Sequence, residues 1–517
     1  MATTRIRKGP SGPFEDPSVD PADITPGPLN TALRSVDDGS GDVAAWKPAT
    51  GGGGLFLVDY YERAGNNWAD ALILALTEVT ARPLAIVLPA AEMEIDKRIG
   101  DFAGGDGLAG GLVFVGFAGA TRFVRPQGAV YTSMFAFEVD SDGVSFTGVG
   151  WHAVDTAVVG LLAVHTNNPG AFDFVQCSLS TGDVPTNQGN GIALGLFGAR
   201  KCSFVNGKLD HAQVGFAGLG YGCNGAVFAN NECTNVHDFA VSAVCGPPEV
   251  TPLEIRNVSI ANNTIDGVNG TGGIFVGSDG GSDAADVVSG VSITGNVITP
   301  VVELGHVGIR TMIAFVGGLV TRQINITNNV IADDDESTQA VYGINVSTPP
   351  AATEFTGLQL NGNTIGRLGA DGGVNGIYCD VTILDESSIS GNILTGNRGL
   401  FVANPSKVKI SENQIYRATS HAIHIRASLR DVEQIDVSKN YAETVGAFSN
   451  ALLFEIDGAW NMQAWIDDNK LSSATGSALA FIPDGGTGEF YNTDQKYISG
   501  GINAAMTLAT IFERDPS

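Results

Sequence analysis

Positive charge is scarce in this chain. Across 517 residues, 28 lysines and arginines stand against 55 aspartates and glutamates, a formal net charge of −27. Nucleic-acid binders displace counterions with basic clusters, and anionic membrane surfaces attract the same clusters, so neither is expected as a partner. Charge of either sign is low, at 16% of residues against 43% hydrophobic. Disordered chains show the reverse balance. Cysteine is sparse too. Cys177, Cys202, Cys223, Cys233, Cys245 and Cys379 form no CxxC pair and no metal-like spacing. They are expected to be buried free thiols, and no metal or cofactor is expected. No apolar run is long enough to cross a bilayer. Met1 to Asp16 carries Arg5, Arg7 and Lys8 without an apolar stretch, so no secretory signal is read there. Folding in a reducing cytoplasm is expected.

What is abundant is glycine, 68 residues, and one recurring phrase. Val291-Ser292-Ile293-Thr294-Gly295-Asn296-Val297-Ile298 alternates apolar and polar, breaks at an asparagine, and resumes apolar. Near-copies are centred on Asn231, Asn263, Asn329, Asn363, Asn392, Asn413, Asn440 and Asn469. Degenerate members precede them at Phe146-Thr147-Gly148, Val175-Gln176-Cys177 and Phe204-Val205-Asn206. A further strand recurs after each, led by a small residue, as in Gly273-Ile274, Gly308-Ile309, Gly343-Ile344, Gly376-Ile377 and Ala422-Ile423. Repeats of this length with two or three short strands predict an all-β fold, a right-handed parallel β-helix. About twelve coils, at ~4.8 Å each, give a rod of roughly 58 Å. The asparagine is expected at a tight bend, itself in left-handed backbone, with its amide stacking from coil to coil.

Four segments are expected. Residues 1–54 form a Pro- and Gly-rich arm without periodicity. Residues 55–105 form a small α/β cap: a strand at Leu55 to Val58, a helix capped by Asn66 or Asn67 and running to about Thr80, and a strand at Leu84 to Pro89. Residues 106–485 are the β-helix. After Phe481 the pattern fades, so residues 486–517 are read as a C-terminal cap or subunit contact.

The cap followed by asparagine-ended coils resembles the pectate-lyase-like superfamily of right-handed β-helices. The residues that carry the resemblance are Val58-Asp59-Tyr60, then Asn67-Trp68-Ala69-Asp70-Ala71-Leu72, then Leu88-Pro89. The family's Gly-Asp-Gly and its paired aspartates before the helix are missing here. The family spans polysaccharide lyases, hydrolases, epimerases, fructan transferases and phage tailspikes, and fold analogy does not choose among them. The arm, the cap and the acidic β-helix together look most like a bacteriophage tailspike. That resemblance implies a homotrimer on the virion, attached through the arm and recognising, and in some cases depolymerising, host surface polysaccharide. A free extracellular polysaccharide-active enzyme and a purely structural virion component are the alternatives.

Strand periodicity says where to look for chemistry. In the small-residue-led strand, the position after Ile or Leu points outward. That column reads Phe275, Arg310, Asn345, Tyr378, Phe401, His424 and Leu453; two residues on it reads Gly277, Met312, Ser347, Asp380, Ala403, Arg426 and Glu455. Aromatics mixed with planar polar groups suit sugars, so Phe275, Arg310, Asn345, Tyr378, Phe401 and Arg426 are read as substrate-binding. Asp380, Glu386, Glu455 and His424 are the catalytic candidates. Asp380 and Glu455 are three coils apart, roughly 14 Å, and pair poorly; Asp380 with Asp385 or Glu386 is the closer combination. Arg426 and Glu455 are expected to form an ion pair. His421, beside His424, is a further acid, base or anion-binding candidate. Asp333 to Glu336 and Gly277 to Asp286 are read as solvated loops rather than Ca²⁺ sites.

Overall fold

Asparagine stacking dictates the architecture. A computed structural model describes residues 31–37, 42–48, 54–79, 83–100, 111–129, 134–135, 143–153, 162–165, 171–181, 192–197, 201–210, 214–219, 224–236, 239–245, 254–268, 272–278, 285–300, 310–332, 341–366, 375–396, 398–447, 449–493, 496–502 and 510–513. It is a right-handed parallel β-helix whose coils contribute strands to two ladders near the N-terminus and, from Leu162–His165 onward, to three. The first ladder carries the strand before the bend, such as Val287–Thr294, Val320–Thr327 and Glu354–Asn361. The second follows the bend, as in Val297–Pro300 and Val330–Ile331. The third holds Gly272–Ser278, Arg310–Val316, Val341–Ser347, Asn375–Asp380, Arg398–Ala403, Ile423–Ala427 and Leu452–Asp457. Pairing within each ladder is parallel. Alternate apolar side chains fill the interior: Ile260, Ile293, Ile326, Leu360, Ile389, Ile410 and Ile466 are all buried.

Asn231 to Asn469 form one unbroken hydrogen-bonded column. Each Nδ2 donates to the Oδ1 of the next, at 2.8 to 3.1 Å. Each Oδ1 also accepts the backbone N–H of the asparagine before it, and each Nδ2 donates to a backbone carbonyl such as Ile293 O. The left-handed residue, however, is not the ladder asparagine. It is the one before it: Asn262, Gly295, Asn328, Gly362 and Lys439 have φ of 55°, 67°, 56°, 68° and 57°. Two adjacent positions divide the labour. One takes the strained dihedral that Gly and Asn tolerate, and the next turns a buried amide along the axis.

Toward the N-terminus the interior becomes aromatic. Phe114 and Phe146 stack at 4.6 Å and Phe146 and Phe174 at 5.3 Å, each pair within 6° of parallel. Trp151 closes edge-on against Phe146. Cys177, Cys202, Cys233 and Cys379 are buried free thiols; Cys223 lies outside the described residues.

The helix expected in residues 55–105 is Trp68–Glu78, and Asn67 Oδ1 accepts the Asp70 N–H at its start. Its Ala71, Leu72 and Ala75 are buried. The flanking strands Gly54–Phe56 and Leu84–Val87 pair in parallel with each other, and the latter with Leu112–Val115, so they are the first rungs of the first ladder. Two expectations are corrected. The pattern does not fade after Phe481: Thr487–Thr493 continues the first ladder in parallel with Asn461–Asp467, and Thr510–Glu513 follows it. The segment before residue 54 is not wholly without periodic structure, since Thr31–Asp37 and Asp42–Pro48 pair antiparallel. Charged and small residues interrupt the apolar alternation in both places, which hid the strands.

Candidate functional site

The outward side of the third ladder carries a half-buried polar cluster. Register fixes its columns. Phe275 pairs with Ala314, Ala314 with Asn345, Asn345 with Tyr378, Tyr378 with Phe401, Phe401 with His424, and His424 with Leu453. The expected column therefore stands, except at Arg310. That residue pairs with Val341 at the strand's beginning, and Ala314 occupies the outward place. The inward isoleucine of this coil is Ile313, level with Ile274 and Ile344, not the Ile309 of the Gly-Ile pair. For the same reason Met312 is buried and Val316 takes the neighbouring column.

Aromatic contact runs through four rungs. The Tyr342 and Tyr378 rings lie 5.1 Å apart, Tyr378 and Phe401 stack at 4.7 Å and 17°, and Phe401 meets His424 edge-on at 5.0 Å. Tyr378 and Phe401 thus spend facing sides on each other. Tyr378 OH donates to Asp380 Oδ2 at 3.1 Å. Burial first, then the Asp380 charge, pushes its phenol up to about 12. Asn345 Oδ1 is buried with no hydrogen-bond partner among the described residues. Phe275 is separated from this group by Ala314 and packs on Phe239 at 5.4 Å.

The next rungs hold the charges. His424 Nε2 and Glu455 Oε2 are 2.7 Å apart. The His424 hydrogen bond holds the Glu455 carboxyl below the usual range, against its burial. Arg426 pairs with Asp457 rather than with Glu455, a correction to the expected ion pair. Glu455 is level with Arg426 in register, but its side chain leans back by two residues to His424. Sequence spacing shows which residues are level and not which way they lean. The Arg426 Nε is buried without a partner among the described residues.

His421 occupies a flanking column that the sequence reading did not define. It is level with Arg398, whose strand precedes it: Gly399 N–H donates to His421 O. Asn450 N–H donates to His421 Nδ1 at 3.3 Å, and the His421 and His424 rings are 5.3 Å apart. Burial first, then the charges of His424 and Arg398, push the His421 imidazole down to about 4. A signal for this column existed, namely the residue immediately before each small residue that leads the strand.

The other catalytic candidates separate. Asp380 ends a third-ladder strand, three rungs from Glu455 by way of Ala403 and Arg426. Glu386 does not join it. It is exposed at a left-handed bend of the first ladder (φ 48°), 3.8 Å from Lys407 Nζ, while Asp385 accepts from Arg430. Chain proximity misled here because the corner between two walls falls between Asp380 and Leu384. Asp333 to Glu336 and most of Gly277 to Asp286 lie outside the described residues. Among the described residues no cluster of His, Cys, Asp and Glu is arranged to hold a metal ion.

The neutral His421 makes a stability prediction. In the unfolded chain an imidazole protonates near its ordinary value of about 6.5. The folded value is depressed, so this contribution is present above pH 6.5 and is lost as pH falls toward about 4. After discounting for partial exposure, the loss is about 2 to 3 kcal/mol. Urea titrations at stepped pH should show it, and His421→Gln should flatten that part of the profile.

No family model and no curated protein matches the sequence. Among solved structures, the catalytic unit of a thermostable GH87 alpha-1,3-glucanase from Streptomyces thermodiastaticus strain HF3-3 is similar at 14% identity, over 90% of this chain and 74% of that one, with a TM-score of 0.43. The Agl-KA catalytic domain is similar at 13% identity, over 91% and 71%, with a TM-score of 0.40. The periplasmic alginate epimerase AlgG is similar at 9% identity, over 75% and 77%, with a TM-score of 0.33. At such scores the likeness carries neither substrate nor residue role across.

Proposed function

We propose that the protein recognises a polysaccharide along the outward side of the third ladder, from Tyr342 to Glu455. One observation carries this reading. The stretch gathers Tyr378, Asp380, His421, His424, Arg426 and Glu455 on an outward wall whose neighbours Phe401 and Leu453 are themselves buried. Half-burying histidine and carboxylate groups there adds nothing to the coil interior and costs desolvation. Convergent polar tips beside aromatic edges are what sugar hydroxyls bond to. In this reading the protein is a tailspike-like virion component made in the host cytoplasm, a homotrimer attached through residues 1–54. The proline-spaced arm ahead of an acidic β-helix supports that assignment. A free polysaccharide-active enzyme is the second reading, favoured by the His424–Glu455 pair.

Tyr378→Ala is expected to weaken glycan binding about tenfold or more, corresponding to loss of ~1.4 kcal/mol. The Phe275→Ala protein should bind like wild type. Isothermal titration with the best ligand from a glycan array checks both, and equal affinity for all three proteins would remove the third-ladder reading. Light scattering of the full chain gives the assembly: three chain masses are expected, and a monomer would count against the tailspike assignment.

A further inference from the structure

We propose a second chemical site on a different wall: Ser180 and His152, on consecutive rungs of the second ladder, are a nucleophile and its base, and they remove short acyl esters from sugar hydroxyls. The glycan as carrier of the ester rests on the polysaccharide reading above; the nucleophile does not. Six successive pairings separate Ser178–Thr181 from Thr364–Ile365, the second-ladder strand of the Tyr378 coil, so the two sites share no residue.

Register brings the pair together. Gly150–Ala153, Ser178–Thr181 and Lys208–Asp210 are successive parallel strands of the second ladder. His152 is level with Ser180, and Ser180 with Asp210. His152 Nδ1 and Ser180 Oγ are 2.9 Å apart, and both residues are half-buried. Asp210, on the other side of Ser180, is turned to Thr234 and Asn235, whose side chains donate to its Oδ1 at 2.6 and 3.1 Å. Burial lowers the His152 pKa, so the imidazole is uncharged at neutral pH. With its proton on Nε2 it accepts the Ser180 hydrogen at Nδ1. A serine hydroxyl held on the acceptor nitrogen of a neutral imidazole is the pairing that makes the oxygen a nucleophile.

Room for an acyl group adjoins the pair. Gly150 is level with both Arg122 and Ser178, and a Cβ there would lie 2.8 Å from Ser178 Oγ and 3.6 Å from Arg122 Cγ. The absent side chain leaves a notch between the Arg122 stem and the Ser178 hydroxyl. The Arg122 guanidinium is itself held by Glu92 at 3.1 Å. Ser178 and Ser180 flank the buried Leu179 and face the same side, roughly 7 Å apart along the strand. A bond to Ser180 Oγ, a carbonyl and a hydrogen bond to the Ser178 hydroxyl span that length. A notch the size of one missing side chain selects a short acyl group such as acetyl.

The chemistry balances in two steps. Ser180 Oγ bonds to the acyl carbon as its proton passes to His152 Nδ1, and the Ser178 O–H donates to the carbonyl oxygen as that oxygen gains charge. The ester bond to the sugar breaks, and the departing sugar oxygen takes the proton from the imidazolium. Water then gives a proton to Nδ1 and attacks the acyl-serine. The bond to Ser180 Oγ breaks, and Ser180 recovers the proton. Ester and water become a carboxylic acid and a sugar hydroxyl, with nothing oxidised or reduced.

The test treats the full-length protein with a biotinylated fluorophosphonate and maps the labelled peptide by mass spectrometry. In parallel it is given 4-nitrophenyl acetate and O-acetylated polysaccharides, and nitrophenol or acetate release is followed. Label on Ser180 and release from both kinds of ester are expected. Ser180→Ala should abolish label and release together, and His152→Gln should lower the rate about 10²- to 10⁴-fold. Ser178→Ala should lower kcat about 10²-fold with little change in KM. An unlabelled Ser180 in the wild-type protein, or release by Ser180→Ala at the wild-type rate, would overturn the nucleophile whatever the glycan titrations show. Ser180-dependent release from the small ester with every acetylated polysaccharide left intact would overturn the glycan as its substrate.

Discussion

Asn329→Ala should destabilise the protein by about 3 to 6 kcal/mol, more than an ordinary surface or loop substitution. The side chain is fully buried, donates to Asn363 Oδ1 and Ile293 O, and accepts from both the backbone N–H and the Nδ2 of Asn296. Truncation orphans two buried donors on Asn296 and removes the donor to Ile293 O. A buried polar group left unsatisfied costs about 1 to 3 kcal/mol. The adjacent Asn328→Gly is the control. Asn328 has φ 56°, and glycine already stands at the equivalent positions Gly295 and Gly362. Its change is expected within about 1 kcal/mol. Urea denaturation of both variants checks the pair, and equal costs would mean that the column of amides does not hold the coils together.

Phe146→Ala should cost a similar amount, about 3 to 5 kcal/mol, for a different reason. Phe146 stacks between Phe114 and Phe174 and is met edge-on by Trp151 and Phe135. Removing the ring opens a cavity that neighbours locked into parallel rungs cannot collapse to fill. Phe146→Leu keeps most of the volume and should cost about 1.5 kcal/mol or less. Thermal unfolding followed by near-ultraviolet circular dichroism reads both. A loss as small as that of the leucine variant would show that the aromatic end of the interior is plastic.

Interior periodicity was written plainly in the chain. The alternation around Asn296, repeated with an asparagine at its end, specifies strand, bend and inward face together, because only one register buries every second residue. The same logic placed Tyr378, Phe401, His424 and Glu455 on one outward wall. It failed at Arg310, where a Gly-Ile pair lies just ahead of the strand and mimics the motif by which the other coils were aligned. Lateral lean was also illegible. Whether Glu455 reaches Arg426 or His424 is decided by rotamer and burial, which carry no period. Glu386 was misplaced because a corner can turn within a few residues, so two carboxylates close in sequence face different directions.

The asparagine column has a consequence for how such a chain can change over generations. Ladder partners are 34 residues apart between Asn329 and Asn363 but 21 apart between Asn392 and Asn413, with the same amide bonds at 3.0 and 2.9 Å. Insertions and deletions between bends are therefore invisible to the axis. The inside is held to one amide per coil, while the outside is free to lengthen, shorten and acquire new side chains. A lineage can revise what the rod touches without renegotiating how the rod stands.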